Sequence, residues 1–148
     1  MALLTDIFEL IKIQSLTVPA TKTDTVTSSV CDVSGYTGAA FYIHYGASGD
    51  TLSGTVYWTG KLQECATEDG TFTDVAASDV SGASTNAFGL VNASGEDSAV
   101  YGLKYIGTLD YVKVVVTATG THTNGTPIGV FAGLGMPRAK ASDQEVNP

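Results

Sequence analysis

Two histidines, His44 and His122, are the side chains of this chain best suited to move a proton near neutral pH. A catalytic histidine needs a nucleophile and an orienting acid, and these gather only in the fold. No Ser or Cys lies in a Gly-x-Ser-x-Gly elbow or a comparable nucleophile setting. The plainer reading places His122 in a local bond beside Asn124-Gly125, and His44 on a polar sheet face or at a subunit contact. Glu64, Glu68, Asp69 and Asp74 form the densest acidic group. Carboxylates converging at a hairpin can hold calcium, and two at the right separation can cleave a glycosidic bond. Their spacing is not that of an EF-hand, and in a chain with 15 acids a carboxylate pair is nearly unspecific.

Cys31 and Cys65 lack a second ligand pair, which argues against zinc and leaves a disulfide undetermined. In a reducing compartment both read as small buried or half-buried hydrophobes. Trp58 and the seven tyrosines suit either a sugar-stacking platform or a sandwich core. Gly129, Gly133 and Gly135 fall in or just past a strand with no helix after them, so they do not form a phosphate cradle. The residues therefore point to no catalytic group, cofactor or metal, and a binding or assembly role is the natural expectation.

The elements that would position any of these groups are strands. The chain has 148 residues, the size of one domain, and is 43% hydrophobic but only 15% charged. It holds 17 Gly and 32 Ser or Thr. These are poor helix formers, whereas Thr, Val and Tyr suit a pleated surface. A net charge of −8, with no two basic residues adjacent, is unsuited to nucleic acid or an anionic membrane. No stretch approaches eighteen consecutive apolar residues, and the N-terminus has no secretory pattern, so synthesis in the cytosol is expected.

Short apolar runs punctuated by turn residues predict eight strands: 25–33, 39–45, 55–65, 71–76, 86–91, 99–106, 111–118 and 127–134. In 41–45 the odd positions form an apolar row, with Tyr42 and His44 on the other side. Val56, Trp58 and Leu62 share a face, as do Val112, Val114 and Val116. One oily and one polar face per strand means antiparallel sheets packed on one side. The expected fold is all-β, an antiparallel two-sheet sandwich resembling a jelly roll. Asp69-Gly70 and Asn124-Gly125 predict tight hairpins. Leu3 to Gln14 carries both a helical spacing and, from Ile11, an alternating one. The division expected is an N-terminal arm or edge strand over 1–18, a sandwich over 19–138 and a solvated tail over 139–148.

Several segments resemble a family of small β-sandwich proteins encoded beside the capsid gene of many tailed bacteriophages and prophages. They are 61–75, from Lys61 through Asp69-Gly70 to Val75; Tyr105-Ile106-Gly107; 111–116; Thr119-Gly120-Thr121-His122; and 133–138. Ile11 to Leu16 followed by Pro19-Ala20 is similar to that family's opening. The likeness runs over about residues 7–138, and departs from the family at Asp110 and Ala66-Thr67-Glu68. It implies a head decoration, or cement, protein that binds the major capsid protein from outside, with a trimer favoured and the virion surface as its location. Ile7, Phe8, Leu10 and Ile11 are the expected anchor, as the apolar stretch outside the inferred sandwich. A head-to-tail joining component and a carbohydrate-binding sandwich of a tail or cell surface are the alternatives.

Overall fold

Alternation along each strand decides which side chains are buried, and two facing oily surfaces result. A computed structural model of the chain describes residues 10–137. Among the described residues there are eleven strands: β1 Ile11–Lys22, β2 Val26–Thr27, β3 Cys31–Asp32, β4 Tyr36–Tyr45, β5 Tyr57–Cys65, β6 Thr73–Asp74, β7 Val80–Ser81, β8 Ala87–Val91, β9 Ala99–Tyr105, β10 Tyr111–Thr119 and β11 Thr126–Pro137. One sheet runs β1-β11-β4-β9-β7; the other runs β2-β10-β5-β6, with β3 also on β10 and β8 also on β5. All pairings are antiparallel.

The pairings are nested. The first strand joins the last (β1 to β11), the next inward join each other (β2 and β3 to β10), and then β4 joins β9 and β5 joins β8. A long hairpin folded over itself gives this order, which is that of a jelly roll. Phe41, Ile43 and Tyr45 of β4, with Ile128 and Leu134 of β11, face Trp58 and Leu62 of β5 and Val112, Val114 and Val116 of β10 across the interior, all with no exposed surface. Gly60 lets the sheets close there: a Cβ at that position would stand 2.2 Å from Cδ1 of Ile43.

The predicted strands are found with adjusted ends, and the differences have local causes. The run 25–33 divides into β2 and β3, because Ser28 takes over the ladder: its Oγ accepts from the Val114 amide at 2.9 Å, and the next amide, Ser29, donates to Leu16 of β1 at 3.0 Å. From Ile11 onward the alternating spacing prevails, and β1 is an edge strand on β11. Of the two turns, Asp69-Gly70 does join an antiparallel pair, β5 and β6. Gly70 serves there by close approach, with Sγ of Cys65 2.4 Å from where a Cβ would stand. Asn124-Gly125 is not a hairpin. It carries the chain from β10 to β11, which lie in different sheets, with Gly125 at φ +78°. A dipeptide signals the local bend, and the layer of the next strand is set by the free edge available to it.

Candidate interaction surface

The outer face of the five-stranded sheet gathers several of the apolar groups that the fold leaves uncovered, while Val18, Leu90 and Ile106 are exposed outside its rows. Register places its outward residues in rows across the strands: Ile11, Gly135 and Gly38; then Ile13, Gly133, Ala40 and Lys104; then Ser15, Phe131, Tyr42 and Gly102; then Gly129, His44 and Val100. Ile13 is 64% exposed, Val100 50% and Ile11 44%. Tyr42 and Phe131 are cross-strand partners whose rings stack at 5.0 Å and 16°. The Tyr42 ring lies over neighbours without side chains. A Cβ at Gly102 would meet its Cε1 at 2.7 Å, and one at Gly133 its Cε2 at 3.4 Å. The surface is thus flat and aromatic at its centre, with aliphatic corners.

These rows contain Lys104 and His44, both exposed, and no carboxylate, although the chain carries −8 overall. The outer face of the second sheet has a different character. Lys61 pairs there with Asp74 at 2.9 Å, Gln63 donates to Asp74 at 2.8 Å, and the Lys113 ammonium sits 4.4 Å above the Phe72 ring. Spacings of about 4.8 Å between strands and 3.4 Å along them make the apolar face about 20 by 15 Å. That is about 300 Å², well under half of the roughly 800 Å² per partner of a standard protein interface.

Of the four expected anchor residues, Ile7 and Phe8 lie outside the described residues. Leu10 is half-buried just before β1, and Ile11 opens the first outward row. Ile13, Tyr42, Phe131 and Val100 of this face were not singled out from the sequence. Their signal was present in the alternation, which puts Ile13 with Ile11 and sets Tyr42 outward, yet a single strand does not reveal that four neighbours present apolar groups together.

The residues weighed for chemistry are dispersed. His44 stands on the outer sheet face, in register with Gly129 and Val100. His122 is buried, with Nε2 3.1 Å from the Thr119 carbonyl and Nδ1 3.8 Å from Oδ2 of Asp50. Glu64 points inward and accepts a 2.6 Å bond from the Tyr105 hydroxyl, while Asp74 is held by Lys61 and Gln63 on the opposite face. Among the described residues no three His, Cys, Asp or Glu side chains are grouped to hold a metal. Cys31 and Cys65 lie on strands either side of β10, opposite Val112 and Tyr111, so they stand about 10 Å apart and face opposite sides of the sheet. That spacing does not admit a disulfide, and both thiols are free and buried. Burial foremost, then Asp32, pushes the Cys31 thiol up to about 11. Trp58 is fully buried and donates to Thr126 at 3.0 Å, so no sugar platform can be built on it.

A cleft of about 330 Å³ opens at the end of the sandwich near Tyr36, lined by Val33, Lys104, Thr108, Leu109 and Asp110. The Tyr105 hydroxyl at its base is occupied by Glu64 and by the Leu109 amide, which donates to it at 3.0 Å. No model of a known protein family matches the chain, and no curated protein sequence matches it.

Proposed function

We propose that the protein is a structural component of a tailed-bacteriophage virion, a decoration or cement protein that binds the outside of the capsid through the outer face of the β1-β11-β4-β9 sheet. The observation that carries this reading is the carboxylate-free apolar face on an otherwise acidic sandwich. Such a surface is suited to docking, because flat apolar anchors release water on contact and need no reactive group. The likeness of segments 61–75, 105–107, 111–116, 119–122 and 133–138 to capsid-adjacent phage proteins supplies the identity of the partner, the major capsid protein.

A face of well under half the standard area binds weakly as a single copy. A capsid offers many equivalent sites, and copies joined as a homo-oligomer, with a trimer favoured, gain avidity without stronger individual contacts. Ile11 extends the face at its corner. No cofactor, nucleic acid or membrane takes part in this scheme.

The test is addition of the purified protein to phage heads that lack it. It should cosediment with them to a saturating copy number set by the lattice, and raise the temperature at which they release DNA. Absence of cosedimentation, with the protein shown to be folded, would remove the reading. Binding to immobilised glycans in its place would favour the carbohydrate alternative.

A further inference from the structure

His122 is the one buried polar side chain among the described residues that leaves a nitrogen without a hydrogen-bond partner. It lies at the end of the sandwich where the loop after β4 meets the turn before β11. Its side chain has no exposed surface, and its ring sits 4.3 Å from that of Trp58. Nε2 is 3.1 Å from the Thr119 carbonyl oxygen. A carbonyl only accepts, so Nε2 carries the hydrogen, and Nδ1 of the neutral ring is a bare lone pair. Oδ2 of Asp50 stands 3.8 Å from it.

Asp50 is committed as a carboxylate. It accepts from the amides of Thr123 at 3.1 Å, Asn124 at 2.9 Å and Gly125 at 2.7 Å. The Asn124 amide is the leading cause that holds its carboxyl below the ordinary value. With His122 neutral, the bare nitrogen of a fully buried ring faces a carboxylate that keeps contact with solvent, and this leaves the ring nitrogen without a donor.

We infer that this pair is a proton-operated clasp: one proton taken from solvent onto Nδ1 of His122 turns the gap into a charge-assisted link with Asp50 and fastens the loop after β4 to the turn before β11. The two segments are already held in place by bonds that do not titrate near neutral pH. The Gly49 amide donates to the Gly125 carbonyl at 2.8 Å, the Asn124 side-chain Nδ2 to the Gly49 carbonyl at 3.1 Å, and the Thr126 hydroxyl to that of Ser48 at 2.9 Å. The charges around the ring favour the closed form. Asp50 comes from the loop, while β5 presents the Trp58 ring and β10 the Thr119 carbonyl, both uncharged. Asp97, which accepts from the Ser48 amide at 2.8 Å, has the same sign as Asp50. The Trp58 ring accepts a cation on its face, and burial opposes the charge. This inference does not depend on the capsid reading.

The test is a double-mutant cycle on thermal unfolding with His122→Gln, Asp50→Asn and the pair, at pH 5.5 and pH 8.5. At pH 5.5 the double variant should lose about 2–4 °C less than the sum of the single losses. At pH 8.5, where the two acceptors oppose each other, that favourable coupling should be absent or reversed in sign. Equal non-additivity at both values, or none at pH 5.5, overturns the clasp. If a variant does not fold, nitrogen NMR of the unaltered protein decides. His122 should hold hydrogen on Nε2 alone at pH 8.5 and on both nitrogens at pH 5.5; a ring unchanged over that range, or an Nδ1–H tautomer at pH 8.5, overturns it.

Discussion

Single polar side chains in this molecule act by closing hydrogen-bond accounts at the ends of the sandwich. Glu64 is the clearest instance, an acid facing inward and satisfied by Tyr105. Burial first, and then the Glu64 bond, push the Tyr105 phenol above its ordinary value, so it remains a donor. Tyr105→Phe should leave the carboxylate and the Leu109 amide unpaired and cost about 1–3 kcal/mol in urea unfolding; a loss under about 0.5 kcal/mol would show that water replaces the hydroxyl. Asp50 is held below the ordinary carboxylate value chiefly by the Asn124 amide, and Asp74 by the Gln63 amide and then Lys61. A depressed carboxyl stabilises the fold above its unfolded value of about 3.9, and that contribution is lost as pH falls through the folded value. Melting followed from pH 6 to pH 2 should show a fall that begins below about pH 4, and Asp50→Asn should flatten it. Cys31 is fully buried with its thiol raised to about 11, so a thiol reagent at pH 8 should modify it only in denaturant. At this scale the sequence revealed little. Glu64 reads as one of four clustered acids, yet alternation sends it to the other face from Cys65, and its partner Tyr105 lies 41 residues away.

Strands were legible because each carries its own evidence. The alternation in 41–45 and 111–118 appears in the fold as one buried and one outward row. What a single strand does not carry is its neighbour. The nested pairing of β1 with β11 spans more than a hundred residues, and nothing in either segment names the other. The same limit explains Asn124-Gly125, where the bend was visible and the change of sheet was not. The flat face also belongs to this scale, since it needs Gly102 on β9 beneath Tyr42 on β4. Gly102→Val should push that ring aside. Because the obstructing atoms are the far end of a movable side chain, the cost to stability should be under about 1.5 kcal/mol, while attachment to heads should weaken at least tenfold. Full attachment by a folded variant would show that the flat ring does not matter. Removing residues 1–9 leaves β1 intact. It should weaken attachment if Ile7 and Phe8 share the anchor, and leave it unchanged if Ile13, Tyr42, Phe131 and Val100 suffice.

For the whole molecule, the contrast between its two outer surfaces is the central claim. One sheet presents ion-paired and polar groups to water; the other presents Ile13, Val100 and a stacked Tyr42–Phe131 pair with no acid among them. Composition indicated a weakly charged, acidic β protein, but a sheet face whose rows hold no carboxylate emerges only when register aligns four strands. An interface this small should be sensitive at its anchors and indifferent to the far side. The direct measurement is cosedimentation with heads of Ile13→Asp and Val100→Asp, beside Lys61→Asp on the opposite sheet, each shown to melt near the parent. The two apolar-face variants should lose binding by about tenfold or more, and the Lys61 variant should bind as the parent does. Undiminished binding by both face variants, or loss confined to the Lys61 variant, would contradict the account.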